Sequence, residues 1–565
     1  MKLTGSQIVI ECLIEQGVTD VFGYPGGQVL NIYDALYKSS DRINHILTAH
    51  EQGASHAADG YARAKGTVGV VIATSGPGAT NLVTGIANAM LDSVPMVAIT
   101  GNVPTSLVGK DSFQEIDITG VTLPITKHNY FVKDINELAD TIREAFRIAK
   151  SGRPGPVLVD IPKDVQLATA DFSAQGVVEK YPEKKAKDKK IEEAVKLINE
   201  CERPYIYVGG GVMSRDLGKD VMALSEKIDG CIGCTFMGLS SIPDSFDRFL
   251  GMQGMHGHYA SSMANKNADL IIGIGLRFSD RATGNTQKYC NKAKIIHLDV
   301  DRAEINKNII VDVGLIGDIA DSLQRIIEAV EAKKRPEWHE EFENLKTQEA
   351  GIEKANENKN TAVLPPKKIF QIINKLKTDD TVVATDVGQH QMWAAQYTDF
   401  EKTRKFISSG GLGTMGYGLG AAIGAQVATG EKTILVTGDG SFGMNLNELA
   451  TVVTYNLPVV TVLLNNGVLG MVRQWQTLFF EKRYSNTVLG RKTNFPLLAE
   501  AFGAKGYHTE TAEEFEAALK EALGSNTPSV IEVMIEKDEL VLPMLPPGGS
   551  IDDIIVSIDK EGDNE

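Results

Sequence analysis

Short runs of β-branched and apolar residues alternate with amphipathic stretches along nearly the whole chain, and most of these runs end in glycine, aspartate or asparagine. Among them are VGVVIAT, VPMVAIT, PVLVDIP, PYIYVGG, LIIGIG, KIIHLDV, TVVATDV, TILVTGDG and PVVTVLLNN. Strands separated by helices pair in parallel, and helices on both faces keep the strands apolar, so the pattern specifies doubly wound α/β sheets. A length of 565 residues exceeds what one hydrophobic core serves and suggests about three domains. Two charged, weakly apolar stretches, EKYPEKKAKDKK (179–190) and KTQEAGIEKANENKN (346–360), read as solvated linkers. Cutting there leaves α/β units at 1–178, 191–340 and 361–535, followed by a Pro- and Gly-bearing tail at 536–565. Ligands of open parallel sheets sit beyond the carboxyl ends of the strands, which makes the residues just after each run the candidates for chemistry.

Composition narrows the function classes. A formal net charge of −16 argues against a nucleic-acid or anionic-membrane surface. Five cysteines are too few for a disulfide framework and favour a reducing compartment; the single CxxC, Cys231 and Cys234, lacks the second pair of a zinc site. The amino terminus reads as an amphipathic helix with Thr4 and Gln7 as a capping box rather than as a signal peptide, which fits a cytoplasmic protein. No run reaches the length of a membrane helix, and LPVVTVLL (457–464) reads as a buried strand.

The segment VTGDGSFGMNLNELATVVTYNLPVVTVLLNNG (436–467) is a βαβ unit with Asp439 at one strand tip and Asn466 at the next. Adjacent parallel strands bring such tips together, and hard oxygen ligands there suit Mg²⁺ with phosphate oxygens completing its shell. GDG followed by NN at this separation resembles the signature of enzymes that use thiamine diphosphate. The resemblance implies that Asp439, Asn466 and the carbonyl of Val468 hold Mg²⁺, with Gly438, Gly440 and Ser441 against the diphosphate.

In HEQGASHAADGYARA (50–64), Glu51 stands where a strand ends and a helix of small residues begins. A bare reading makes it a carboxylate at a helix N-terminus, favoured by the macrodipole. The resemblance implies more: such a carboxyl group hydrogen-bonds the aminopyrimidine ring and so activates the cofactor. In a cleft closed to water a carboxyl group keeps its proton and can donate it. In that family the two halves of the site come from different subunits, implying at least a homodimer, and the small residues Gly53, Ala54, Ala57, Ala58 and Gly60 fit close helix packing over a ligand. Met415, in SSGGLGTMGYGLGAAIGA (408–425), aligns with the apolar residue that bends the cofactor. Gly420 departs from the family's frequent Pro, which would loosen this helix start.

The resemblance narrows over nearly the whole chain. VFGYPGGQVL, ATSGPGATNLVTGIANAMLDSVPMVAITG, FQEIDI, PITKHNYFV, GRPGPVLVDIPKDV, GMHG, RFSDRATG and NNGVLGMVRQWQTLFF together resemble the catalytic subunits of the acetolactate (acetohydroxyacid) synthase family. This implies decarboxylation of pyruvate and transfer of the two-carbon unit to a second pyruvate, giving 2-acetolactate, or to 2-ketobutyrate, giving 2-aceto-2-hydroxybutyrate, the first common step of branched-chain amino-acid biosynthesis. Arg281 matches the cation that takes the acceptor carboxylate, and Trp475 the wall of the acceptor pocket. Gly27, Phe113, Gln114, Lys163, Met471 and Val472 match further active-site positions. The middle unit resembles the family's FAD-binding domain, with Arg153, Gly209, Gly210, Gly211, Met255, His256, Arg277, Asp299 and Asp318 as flavin contacts. The net reaction moves no electrons, which would make FAD structural or vestigial. A homodimer or homotetramer with a small regulatory subunit is the implied assembly. Pyruvate oxidase-type and catabolic acetolactate synthase chemistry are the alternatives; Arg281, Lys163 and Trp475 favour the synthase over the first, the flavin motifs favour it over the second, and intact Glu51, Asp439 and Asn466 argue against a regulator that has lost catalysis.

Overall fold

The computed structural model describes residues 1–357 and 363–557. Three six-stranded sheets, each wholly parallel, form the three expected units. In the amino-terminal unit the strands lie side by side as Asn44–Leu47, Asp20–Tyr24, Gly69–Ala73, Met96–Asn102, Pro156–Pro162 and His128–Phe131; numbered within the unit, the order is 2-1-3-4-6-5. The carboxy-terminal unit repeats that order with Phe406–Ile407, Val382–Thr385, Thr433–Gly438, Val459–Asn465, Ser529–Met534 and Lys505–Thr509. The middle unit instead runs 3-2-1-4-5-6 around Pro204–Val208 and Leu270–Ile274, the order of dinucleotide-binding sheets. Central strands such as Gly69–Ala73 are buried throughout because helices cover both faces. A short antiparallel pair, Lys2–Thr4 with Thr169–Asp171, ties the start of the first unit to its end.

The first and third units meet through two helices, Glu51–Lys65 and Gly418–Thr429. Their backbones approach so closely that a Cβ at Gly424 would overlap the carbonyl oxygen of Ala57, and one at Gly60 that of Ala421. The small residues after Glu51 therefore pack against a helix of the same chain. Gly420 belongs to that contact: a Cβ there would stand 2.8 Å from the Gly53 carbonyl oxygen, so its lack of a side chain tightens the packing. Beside this pair, buried Arg63 donates to Asp59 at 2.6 Å and Asp92 at 2.8 Å, and the Tyr417 hydroxyl donates to Asp59 at 2.6 Å. Burial works against the Arg63 charge, but Asp59, Tyr417 and Asp92 outweigh it.

Residues 346–357, read above as linker, are the end of a helix, Pro336–Glu357, while 358–360 lie outside the described residues. Trp338, Phe342 and Leu345 bury one face of that helix, and farther along Glu349 accepts from the Tyr259 and Ala260 N–H groups at the start of helix Tyr259–Asn267. Cys231 and Cys234 sit in a buried strand with their thiols pushed up by burial. The tail crosses from the third unit to the second, where the Leu545 N–H donates to the Met255 carbonyl at 2.7 Å. Among the described residues no helix is long and apolar enough to cross a membrane.

Candidate active site

Strands Thr433–Gly438 and Val459–Asn465 pair with Gly438 opposite Leu464, which sets Asp439 beside the Asn465–Asn466 tip. Gly438, Asp439, Gly440, Ser441, Asn466 and Val468 line one cavity of about 60 Å³, closed by Met415, Met471 and Val472. Burial pushes the Asp439 carboxyl up to about 6, although the Asp439, Gly440 and Asn466 backbone N–H groups favour its charge. A cation would relieve that cost. The donor set fits a small hard one: a carboxylate, the Asn466 amide, whose oxygen lies 3.1 Å from the Val468 N–H, and the Val468 carbonyl. A Cβ on Gly440 would reach within 2.9 Å of Leu469, so the bare glycine keeps the backbone open to a phosphate.

A second cavity, of about 1520 Å³, shares Met415, Met471 and Val472 with the first and runs between all three units. Gly210, Gly211, Met255, His256, Arg277 and Asp299 line it on the carboxyl-end side of the middle sheet, and Arg153 reaches it from the amino-terminal unit. At the switch point of that sheet the Gly211 N–H donates to the Gly275 carbonyl at 3.0 Å, and a Cβ on Gly211 would stand 2.7 Å from the Gly275 Cα. Such a bare backbone edge suits a pyrophosphate. Burial lifts Asp299 to about 7, with Glu304 adding and Arg153 opposing. Three buried polar atoms of lining residues, Gln253 Oε1, His256 Nδ1 and Glu304 Oε2, find no hydrogen-bond partner among the described residues. These groups fit a dinucleotide. Gly209 and Asp318 stand just outside the lining: Gly209 packs on Gly275, and the Asp318 carboxylate caps helix Ile319–Ala329.

At the other end of the same cavity Arg281 and Trp475 meet, the guanidinium carbon 5.7 Å from the ring centroid. Arg281 also donates to the Met255 sulfur at 3.3 Å, and its Nε lies 3.8 Å from the Asp280 carboxylate, which leaves further N–H groups of its fork to donate. A guanidinium with donors to spare over an aromatic wall is a receptor for a small carboxylate.

The remaining candidates gather on the amino-terminal sheet, each after a strand end. Glu51 opens helix Glu51–Lys65 behind an N-cap formed by His50, and its carboxylate accepts from the Asn81 amide at 2.9 Å. Lys163 follows Pro156–Pro162 and donates to the Gly27 carbonyl at 3.2 Å. Gln114 takes a φ of 61°, against Gly76, and Phe113 beside it is 84% exposed. None of Gly27, Glu51, Phe113, Gln114 and Lys163 lines either cavity. The candidate site thus falls into two halves in one chain.

Sequence reading passed over Val387, Gly388, Gln389 and His390, which wall the small cavity. Burial lowers the His390 imidazole to about 3, keeping it neutral, and its Nε2 has no partner among the described residues. The signal was present in TVVATDVGQH, a strand ending in Asp and Gly like the ones that were followed up. Glu448 was also missed: its buried carboxylate accepts from Ala49 and His50 N–H, at 3.1 and 3.0 Å, fixing the joint that carries Glu51.

Comparison with known proteins agrees with this layout. Residues 3–121, 191–326 and 386–533 match the N-terminal TPP binding, central and C-terminal TPP binding domains of thiamine pyrophosphate enzymes. The chain is 45% identical to the acetolactate synthase large subunit of Corynebacterium glutamicum, over 98% of this chain and 90% of that one. It is 44% identical to the acetolactate synthase isozyme 2 large subunit of Escherichia coli, over 97% and 98%. With the probable acetolactate synthase large subunit of Methanocaldococcus jannaschii the identity is 43%, over 99% and 96%. With its three units, its paired strand tips and these relatives, the chain belongs to the acetolactate synthase large-subunit family of thiamine pyrophosphate enzymes.

Proposed function

We propose that this chain is the catalytic subunit that condenses two 2-keto acids, pyruvate with pyruvate or with 2-ketobutyrate, with loss of CO₂. The observation that carries this reading is the shared wall of Met415, Met471 and Val472, which sets the Asp439–Asn466 pair on one side and Arg281 with Trp475 on the other. Thiamine diphosphate, when bound, supplies the nucleophilic carbon for the decarboxylation and the carbon–carbon bond. Asp439, Asn466 and the Val468 carbonyl would hold its Mg²⁺, with Gly438, Gly440, Ser441 and neutral His390 around the diphosphate. Glu51 would hold a proton against its pyrimidine ring, and Arg281 would orient the acceptor through its carboxylate, with Trp475 limiting the space beside it. Lys163, Gly27, Phe113 and Gln114 would close the site from the amino-terminal half. The cradle at Gly210, Gly211 and Gly275 would take FAD, with Arg153, Met255, His256, Arg277 and Asp299 along it; Gly209 would support the cradle from behind and Asp318 its end.

Because the Glu51 half lines neither cavity, a second copy of the chain is the natural source of it, so the working unit is at least a homodimer. The relatives are named large subunits, and a small regulatory partner is part of the proposal. Five free thiols suit a reducing cytoplasm.

The test is product analysis with pyruvate, Mg²⁺ and thiamine diphosphate, with and without FAD, for wild type and Glu51→Gln. Acetolactate and CO₂ are expected from the wild type and require FAD, while loss of the proton-bearing group slows the variant by about 10²- to 10⁴-fold. Acetyl phosphate or peroxide would move the chain to the oxidases, FAD-independent acetolactate would favour the catabolic enzyme, and equal rates would remove Glu51 from the reaction.

A further inference from the structure

The loop at 408–416 is rich in glycine, with φ of 69° at Gly413 and 87° at Gly416, and yet it presents Met415 to both cavities at once. Glycines give such a loop freedom and no rigidity of its own. Part of what fixes it comes from another unit. Helix Val83–Asp92 of the amino-terminal unit sends in Asn88 and Asp92, one turn apart, both with buried side chains. Asp92 accepts from Gly410 N–H at 3.0 Å and Gly411 N–H at 2.7 Å. Asn88 accepts from the Ser409 hydroxyl at 2.5 Å and the Thr414 hydroxyl at 3.3 Å, and the Ser409 oxygen in turn accepts from Thr414 N–H at 2.9 Å. Two further groups hold these anchors in place: Arg63 donates to Asp92 at 2.8 Å, and the Asn88 amide donates to Asp59 at 3.2 Å. On the far side of Met415, Gly416 N–H donates to Asp386 at 2.7 Å. Both flanks of Met415 are therefore tied, Gly416 by the third unit's own carboxylate, and the 408–414 side by the first unit together with the third unit's Gln391, whose amide donates to the Ser409 carbonyl at 3.0 Å.

We propose that Asn88 and Asp92 are positioning residues for Met415, holding the 408–414 loop so that the Met415 side chain presses bound thiamine diphosphate into its reactive bend. The proposal rests on the thiamine reading above. It says that a helix outside the Mg²⁺ site, whose Asp92 end reaches the large cavity, sets the geometry of the cofactor through backbone N–H groups and the hydroxyls of Ser409 and Thr414. Neither residue lines the small cavity of Asp439 and Asn466, so their loss should spare thiamine diphosphate binding and slow its activation.

The readout is deuterium exchange at C2 of bound thiamine diphosphate, by acid quench and proton NMR, alongside thiamine diphosphate affinity by fluorescence titration. Asp92→Asn removes an acceptor for the loop and weakens the Arg63 pair. Ser409→Ala cuts the link from Asn88 to Thr414 with a smaller change of volume, and it serves as the second probe if Asp92→Asn fails to fold. Exchange is expected to slow by about ten- to a hundredfold in either variant, the size of effect that an ångström of misplacement brings, with affinity little changed. In a double-mutant cycle, adding either change to Met415→Ala should slow exchange no further, since the anchor then has nothing to position. Wild-type exchange rates in both single variants, affinity falling in step with exchange, or additive losses on top of Met415→Ala would each overturn the positioning role. A wild-type protein that neither binds thiamine diphosphate nor exchanges C2 would overturn the thiamine reading, and this proposal with it.

Discussion

Arg281 and Trp475 lie far apart in the sequence and meet at one end of the large cavity, where the guanidinium keeps donors to spare. A charge-assisted hydrogen bond to a carboxylate contributes about 1.5–3 kcal/mol, so Arg281→Gln should raise the KM for 2-keto acid by about 10- to 100-fold with a smaller change in kcat. An equal fall in kcat and kcat/KM, with KM unchanged, would show in steady-state assays that the residue acts in the bond-making step instead. A second pair bears on stability. His258 Nδ1 and Glu349 lie 2.9 Å apart; burial works against both charges, and each partner outweighs it for the other, so His258 stands at about 9 and Glu349 below the ordinary carboxylate value, with Glu353 and Asp244 adding to the field at His258. The folded histidine thus binds its proton more tightly than the unfolded one, whose pKa is about 6.5. Its contribution is complete below about pH 6.5 and is lost as the pH rises through 9. Thermal melts from pH 6 to 10 should show the wild type losing more Tm than His258→Gln; parallel curves would mean the pair contributes nothing. At this scale the sequence was informative where chemistry is carried by short motifs, as at Asp439 and Asn466. It was silent on Asn88, Asp92 and Glu448, because each works through a partner in a distant unit and carries no local pattern: Asn88 meets Ser409, and Glu448 meets the backbone of Ala49 and His50.

Elements show the same division. The alternation of apolar runs with amphipathic stretches was enough to place the sheets, since a parallel strand buried on both faces has few other ways to be written. Helix Pro336–Glu357 was cut short because its apolar contacts, Trp338, Phe342 and Leu345, all lie in its first half, and the second half shows the charges of a solvated face. The partner of the small-residue face on Glu51–Lys65 was equally hidden: glycine and alanine announce a close approach without saying to what. That approach is testable. Gly424→Ala and Gly60→Ala each force a methyl group into a backbone carbonyl of the opposing helix and should cost about 1–3 kcal/mol or more by overpacking. Gly351→Ala, on an exposed helical face with nothing within 4 Å of the new methyl, should instead stabilise by about 0.5–1 kcal/mol. Denaturant melts of the three variants check the sign; a harmless Gly424→Ala would mean the two helices can move apart freely.

Over the whole molecule, the first and third units repeat one strand order and lie together, helix against helix, so that the strand ends of one unit do not face those of the other across a shared cavity. Glu448 reinforces this by gripping the Glu51 joint from the third unit. On the proposed function the chain is thereby committed to exposing two complementary half-sites, which closed two-fold pairing of copies would join. That commitment gives a prediction that either variant alone could not test. Glu51→Gln and Asp439→Ala chains should each form weakly active homodimers. When the two are co-expressed in equal amounts, half of the dimers are mixed, and each mixed dimer holds one site with both changes and one with neither. Activity should then recover to about a quarter of the wild-type value per mole of sites. If the two half-sites instead came together within a single chain, every site in the mixture would carry one change or the other, and no activity would return.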